Sequence, residues 1–115
     1  PGGAVVLFSG YPARKYRPGT LAIGSVGGSV EAFIHLVANE ISPVRINGVC
    51  PGLIDTPMSP LQGDERKAYY DKGTAGHLIA RAGTAAECAS AAIFLHANEF
   101  VTGTIIDVDG GAIVT

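Results

Sequence analysis

Val44-Arg45-Ile46-Asn47-Gly48-Val49-Cys50-Pro51-Gly52 is the stretch that decides the fold of this chain. Apolar and polar residues alternate from Val44 to Val49, the period of a β-strand, and Cys50-Pro51-Gly52 then breaks the pattern. Upstream, Val26, Val30, Phe33, Ile34, Val37 and Ile41 recur at helical spacing, so a helix is expected from about Ser25 to Ile41, ended by Pro43. Further upstream, Ala4-Val5-Val6-Leu7-Phe8 is a continuous apolar run ending at Ser9-Gly10, as in a strand buried on both faces. Residues 11 to 20, with two prolines and the cations Arg14, Lys15 and Arg17, read as a loop. Downstream comes a Pro-rich loop over residues 53 to 63, then a short polar helix from Asp64 to Lys72. Thr84-Ala85-Ala86-Glu87 has capping-box spacing and opens a helix running to about His96, with Ala89, Ala92, Ile93 and His96 facing inward. Thr104 to Val108 is a third strand, closed by Asp109-Gly110-Gly111. Strand, helix, strand, helix, strand is the order of a parallel α/β sheet with crossover helices.

Composition narrows the function classes. The chain has 115 residues, 47% of them hydrophobic and 16% charged, which supplies a core and excludes a disordered chain. A net charge of −2 with no basic run argues against nucleic acid as partner. No stretch reads as about 20 apolar residues able to span a bilayer, and no signal peptide opens the chain, so a cytoplasmic protein is expected. Cys50 and Cys88 form no paired motif and read as reduced, core-type side chains. Sixteen glycines and seven prolines fall between patterned segments, where they mark turns and close backbone contacts.

The segment from Arg45 to Met58 resembles the short-chain dehydrogenase/reductase family, in which a strand ends in Pro-Gly and a Thr follows two positions after an aliphatic residue. Arg81-Ala82-Gly83 through Leu95 is similar to the family's next helix, and Val101-Thr102-Gly103-Thr104 through Gly111 to its last strand and closing turn. The resemblance covers nearly the whole chain. It implies a Rossmann-like doubly wound parallel sheet, with residues 1–115 as the C-terminal half of a single NAD(P)-binding domain: three strands with crossover helices, without the phosphate-binding turn of the first half. It also implies NADP or NAD as cofactor and a small-molecule carbonyl or alcohol as substrate. A homo-oligomer, dimer or tetramer, is expected, with no nucleic acid and no membrane as partner. In such a sheet the first strand is central, so either upstream residues or another chain is expected to cover its edge.

The family transfers hydride with a Tyr as proton donor, a Lys four residues on, and a Ser that orients the substrate oxygen. Laid over residues 22 to 40 without gaps, that pattern puts Ile23 at the Tyr position and Gly27 at the Lys position, neither able to move a proton or hold a charge. The Ser position falls on Ser9 or Gly10. Tyr11-Pro12-Ala13-Arg14-Lys15 has Tyr-x-x-x-Lys spacing, but in a loop with an internal proline, where positions four apart need not face each other. Ser9 and Tyr11 are the catalytic candidates, and Tyr16 is a further possible acid. Some members of the family lack the Tyr and Lys, and this chain resembles that divergent branch.

For the cofactor, the resemblance implies Ser9, Gly10, Pro51, Gly52, Leu53, Ile54 and Thr56, with the Ile54 backbone pairing the nicotinamide carboxamide and the Thr56 hydroxyl reaching the carboxamide or a phosphate. The bland alternative is an ordinary strand-to-loop break. Ile23 to Ser29 matches neither phosphate-binding fingerprint, and its glycines read as close helix packing. His35, His77 and His96 share no metal-ligand spacing, and no metal site is expected. Asp107 and Asp109 read as structural, and Arg66, Lys67 and Lys72 as a solvated helix face. Two functions stay open: an NAD(P)-dependent oxidoreductase of the short-chain type with an atypical active site, or a catalytically silent relative serving as a nucleotide-binding, oligomerisation or regulatory subunit.

Overall fold

The computed structural model describes residues 2–115. Strands β1 (Ala4–Phe8), β2 (Arg45–Pro51) and β5 (Ile105–Val108) form a parallel sheet in the order β1-β2-β5. The register pairs Phe8 with Val49 and Cys50 with Asp107, so the carboxyl ends of the three strands lie side by side. Helix α1 (Leu21–Val37) crosses from β1 to β2, and helix α3 (Ala85–Ala97) precedes β5. The Pro-rich loop contributes β3 (Ile54–Asp55), which pairs in parallel with β4 (Gly83–Thr84) ahead of α3. Helix α2 (Gly63–Thr74) lies between them.

β2 is the centre of the molecule, and residues 46 to 50 are all buried. Its even positions face α1. A Cβ on Gly48 would fall 2.7 Å from Ile34 Cδ1, so the missing side chain lets the fully buried Ile34 rest on the sheet. Its odd positions face α3, because successive strand side chains alternate. The Arg45 guanidinium donates to the carbonyls of Leu95 and His96 at 2.8 and 2.7 Å, satisfying acceptors at the end of α3. Asn47, fully buried, donates to Val101 O at 2.9 Å and accepts from Thr104 N at 3.2 Å. These bonds hold the segment leading into β5 against β2.

Several local expectations are corrected. α1 begins four residues earlier than expected, just after a turn in which Gly19 has φ 77°. It ends at Val37, where the turn bond from Glu40 N to Val37 O at 2.9 Å starts a loop well before Pro43. Val26 and Phe33 point outward, because the buried side of α1 is set by Gly27 and Ile34. On α3 the buried residues are Cys88 and Leu95, whereas Ala89, Ile93 and His96 are exposed. An alanine-rich helix has too weak a pattern to fix its rotation by sequence alone. Residues 11 to 20 are not all loop: Tyr11–Ala13 form a 3-10 turn.

That turn lies directly on α1. A Cβ on Gly24 would be 2.7 Å from Pro12 O, and one on Gly27 would be 3.2 Å from Ala13 Cβ. Gly24 and Gly27 therefore serve close packing within the chain, whereas a Cβ on Gly28 would meet nothing within 4 Å. Gly24→Ala is expected to destabilise the fold by about 1–3 kcal/mol, because backbone cannot yield as a flexible side chain can. Chemical denaturation of the variant measures this.

The capping box forms as expected. Glu87 N donates to Thr84 Oγ1 at 3.2 Å, and Thr84 N donates to Glu87 Oε2 at 2.8 Å. The Arg81 guanidinium, followed by the Thr84 amide, holds the Glu87 carboxyl down at about 2. A carboxyl lowered on folding stabilises the native state above its unfolded value, and that contribution fades as pH falls from about 4.5 towards about 2. Thr84→Ala is expected to cost about 1 kcal/mol of stability. Glu87→Gln should flatten the acid limb of the stability curve over that pH window, as read by thermal melts.

Candidate active site

Parallel register brings Ser9, Cys50 and Asp107 into one row across the carboxyl edge of the sheet, on the face covered by α1. Ser9 N donates to Val49 O at 2.9 Å, which fixes the first member of the row. The row is closed by two side chains from elsewhere. Ser9 Oγ donates to Glu31 Oε1 at 2.7 Å, and Arg14 Nε donates to Glu31 Oε2 at 2.9 Å. Arg14 also reaches across to Asp107 Oδ1 at 2.7 Å. Burial opposes the charge on Glu31, but the hydrogen bonds from Arg14 and Ser9 outweigh it and hold the carboxyl below its ordinary range. Burial pushes the Cys50 thiol up to about 11, so it stays protonated at neutral pH.

Glu31 stands one helical turn after Gly27. The cation in this neighbourhood comes from the loop, as Arg14, and its charge is matched by two carboxylates. With Pro12 and Ala13 lying on Gly24 and Gly27, the surface of α1 has no room for long side chains there. Neither Glu31 nor Arg14 was visible as a site residue in the sequence, because one sits within a helix pattern and the other in an unpatterned loop.

Pro51 to Thr56 leave the carboxyl end of β2 beside this row. Gly52 N donates to Val108 O at 3.0 Å, and a Cβ on Gly52 would fall 2.6 Å from Asp109 Cα, so the loop is pressed against the end of β5. Thr56 Oγ1 accepts from Met58 N at 3.4 Å, and its O–H has no acceptor among the described residues. Leu53 and Ile54 line a cleft of about 350 Å³ with Ile79, Arg81, Val108 and Asp109. Asp109 itself is structural: it accepts from Gly111 N at 2.9 Å and Ile113 N at 2.8 Å, shaping the closing turn.

Tyr11 lies elsewhere on the same edge. Its ring is buried against Cys50 and Ala112, and its hydroxyl accepts from Arg17 Nη1 at 2.6 Å. His77 packs edge-on against the ring, with centroids 6.5 Å apart. Tyr11 lines a second cleft, of about 450 Å³, between the 11–17 segment and α2. Burial opposes the Arg17 charge, but contacts with Tyr11 and Tyr69 more than offset it and keep the guanidinium firmly protonated. Lys15 and Lys72 line this cleft too, and Tyr16, though largely exposed, stands at its edge. Of the face read as solvated, Lys67, paired with Asp71, and Lys72 are exposed as expected. Arg66 is a staple, donating to Asp55 and to the carbonyls of Thr56, Ser59 and Leu61. Among the described residues no group of His, Cys, Asp or Glu could hold a metal. No helix among them is long and apolar enough to cross a membrane.

Ser9 and Gly10, then, are brought together with the Pro51–Thr56 loop, and Tyr11 follows them into a separate cleft. Comparison with known proteins places this arrangement. A family model described as Enoyl-(Acyl carrier protein) reductase matches residues 1–113. The chain is 32% identical over 113 residues to 3-oxoacyl-[acyl-carrier-protein] reductase FabG of Chlamydia muridarum, covering 95% of this chain and 44% of that protein. It is 34% identical over 110 residues to the short-chain dehydrogenase/reductase ATR9 of Stachybotrys chlorohalonatus, covering 95% and 43%. Among solved structures, a small-chain dehydrogenase in complex with NADPH superposes with a TM-score of 0.91 at 34% identity, covering 99% of this chain and 52% of that one. The chain spans about half the length of the relatives it matches. With its parallel sheet, its Pro-Gly loop and a family match along nearly its full length, the chain belongs to the short-chain dehydrogenase/reductase family.

Proposed function

We propose that the protein is an NAD(P)-dependent oxidoreductase acting on a carbonyl/alcohol pair, with Tyr11 as proton donor in place of the helix-borne Tyr. The observation that carries this reading is that Tyr11 lines a cleft at the carboxyl edge of the sheet, with Arg17 Nη1 2.6 Å from its hydroxyl. Open α/β sheets bind ligands at this edge. The residues fit a nicotinamide nucleotide: a free Thr56 O–H and the Pro51–Ile54 backbone border the strand ends, beside Ser9 and Gly10. The name of the 34% identical solved dehydrogenase in complex with NADPH supports the cofactor. When bound, the reduced nicotinamide supplies the hydride. Tyr11 gives its proton to the substrate carbonyl oxygen, leaving a phenolate whose negative charge the Arg17 N–H bond stabilises. A proton from water then restores the phenol. The Ser9 proton is held by Glu31, so we assign Ser9 to the edge that borders the cofactor and not to proton transfer.

The outward stripe of Ile23, Val26, Phe33 and Leu36 on α1 supports the homo-oligomer reading, since exposed apolar faces commonly meet a second copy. A second function, the catalytically silent nucleotide-binding or regulatory subunit, is favoured by one observation: the Ser9–Glu31–Arg14–Asp107 network is closed where the family's usual groups would act.

Two measurements separate these readings. Fluorescence titration with NADPH is expected to show saturable binding below millimolar cofactor; its absence removes both the oxidoreductase and the nucleotide-binding subunit. NADPH oxidation in a broad carbonyl screen supports the enzyme, and Tyr11→Phe should then lower kcat by roughly 10²–10⁴-fold with cofactor affinity retained. No oxidation by the wild type leaves the silent subunit.

A further inference from the structure

The placement of positive charge on this molecule is uneven. Of its eight Lys and Arg residues, Arg14, Arg66, Lys67 and Arg81 are paired with carboxylates. Arg45 is committed to the carbonyls at the end of α3 and the loop after it. The remaining three, Lys15, Arg17 and Lys72, line the Tyr11 cleft, and no Asp or Glu lines it with them. They do so in a chain whose net charge is −2. Three cations gathered in a concave site with no Asp or Glu among its lining residues repel one another, and an anion bound among them relieves that repulsion.

Their hydrogen-bonding states show which part of the cleft is open to a ligand. Lys15 Nζ is tied to Ala112 O at 2.8 Å and Thr115 O at 2.5 Å, so it contributes charge more than free donors. Arg17 gives one N–H to Tyr11 and keeps others on a planar fork suited to paired oxygens. Lys72 makes no hydrogen bond among the described residues and stands on α2, across the cleft from the 11–17 segment. The rings of Tyr11 and Tyr69 and the imidazole of His77 supply flatter walls between these charges. A volume of about 450 Å³ suits a small ligand.

We infer that this cleft binds the anionic end of the substrate, a carboxylate or phosphate on a small carbonyl compound, between Arg17 and Lys72. The inference rests on the oxidoreductase reading for its assignment to a carbonyl substrate, and its test is a binding measurement made without cofactor or turnover. The cleft itself sets the expected chemistry. The anion is fixed by the cations, and the carbonyl oxygen is left to the Tyr11 hydroxyl at the cleft's inner wall.

The probes are phenylpyruvate and phenylacetone, which differ by a carboxylate in place of a methyl group. Calorimetric titration is expected to show phenylpyruvate binding at least about tenfold more tightly, since charge-assisted hydrogen bonds are lost with the carboxylate. Lys72→Gln should weaken phenylpyruvate binding about tenfold, whereas Lys67→Gln, on the same helix but paired with Asp71, should leave it unchanged. Both residues are exposed, so neither substitution should disturb folding. Inorganic phosphate should compete with phenylpyruvate if the site takes either anion, and its failure to compete restricts the inference to carboxylates. Equal affinity for the two probes, no binding of either, or equal losses in the two variants overturns it. A protein that binds phenylpyruvate in this pattern yet oxidises no NADPH keeps the anion cleft and loses the oxidoreductase reading.

Discussion

Burial of β2 on both faces is the constraint from which the rest of the structure follows. A strand with no solvent face must satisfy every polar group it carries, because an unpaired buried amide costs on the order of 1–3 kcal/mol. Asn47 meets that demand by bonding Val101 O and Thr104 N, and in doing so it fixes where β5 begins. Arg45 meets it by bonding the carbonyls at the end of α3, which fixes the position of that helix. On the other face Gly48 admits Ile34, which fixes the height of α1. Three elements are thus located by alternate side chains of one strand, and the carboxyl end of that strand becomes the place where their loops converge.

The same close packing shapes the carboxyl edge of the sheet. Once α1 is seated, the 3-10 turn of Tyr11–Ala13 lies on Gly24 and Gly27, with backbone where larger side chains would otherwise project. Positive charge near the helix is supplied instead by Arg14, and Glu31 and Asp107 neutralise it. Tyr11, the buried residue of that turn, lines the second cleft, with Arg17 as the hydrogen-bond partner of its hydroxyl.

Elements with a strong local signal were legible in the sequence. The apolar run at β1, the Pro-Gly break after β2 and the capping box of α3 all lie where residue pattern alone placed them. The inward face of α3 was not, because alanines give no moment to distinguish Ala89 from Cys88. Nor was the outward orientation of Val26 and Phe33: helical periodicity shows that an apolar face exists, and α1 carries two, one against the sheet and one exposed. Of the candidate site, the strand-end positions of Pro51–Thr56 and Ser9–Gly10 were legible, because turn chemistry marks the ends of strands. Glu31, Arg14, Arg17, Lys15, Lys72 and His77 were not. They come from segments with no common period, and only the folded chain brings them together.

The two charged assemblies at this edge differ in a way that bears on function. Around Arg14 one cation meets two carboxylates and a hydroxyl, and each group answers another, so the network is complete without a ligand. Around Tyr11 three cations line a cleft that no Asp or Glu lines with them. Salt and water moderate that repulsion at an exposed site, but residues of one sign held in a concave wall still raise the local concentration of anions. A closed network keeps shape, and an open one selects what enters. The first assembly therefore fixes the strand ends against α1, and the second, with no Asp or Glu among its lining residues, leaves positive charge on the wall of the cleft.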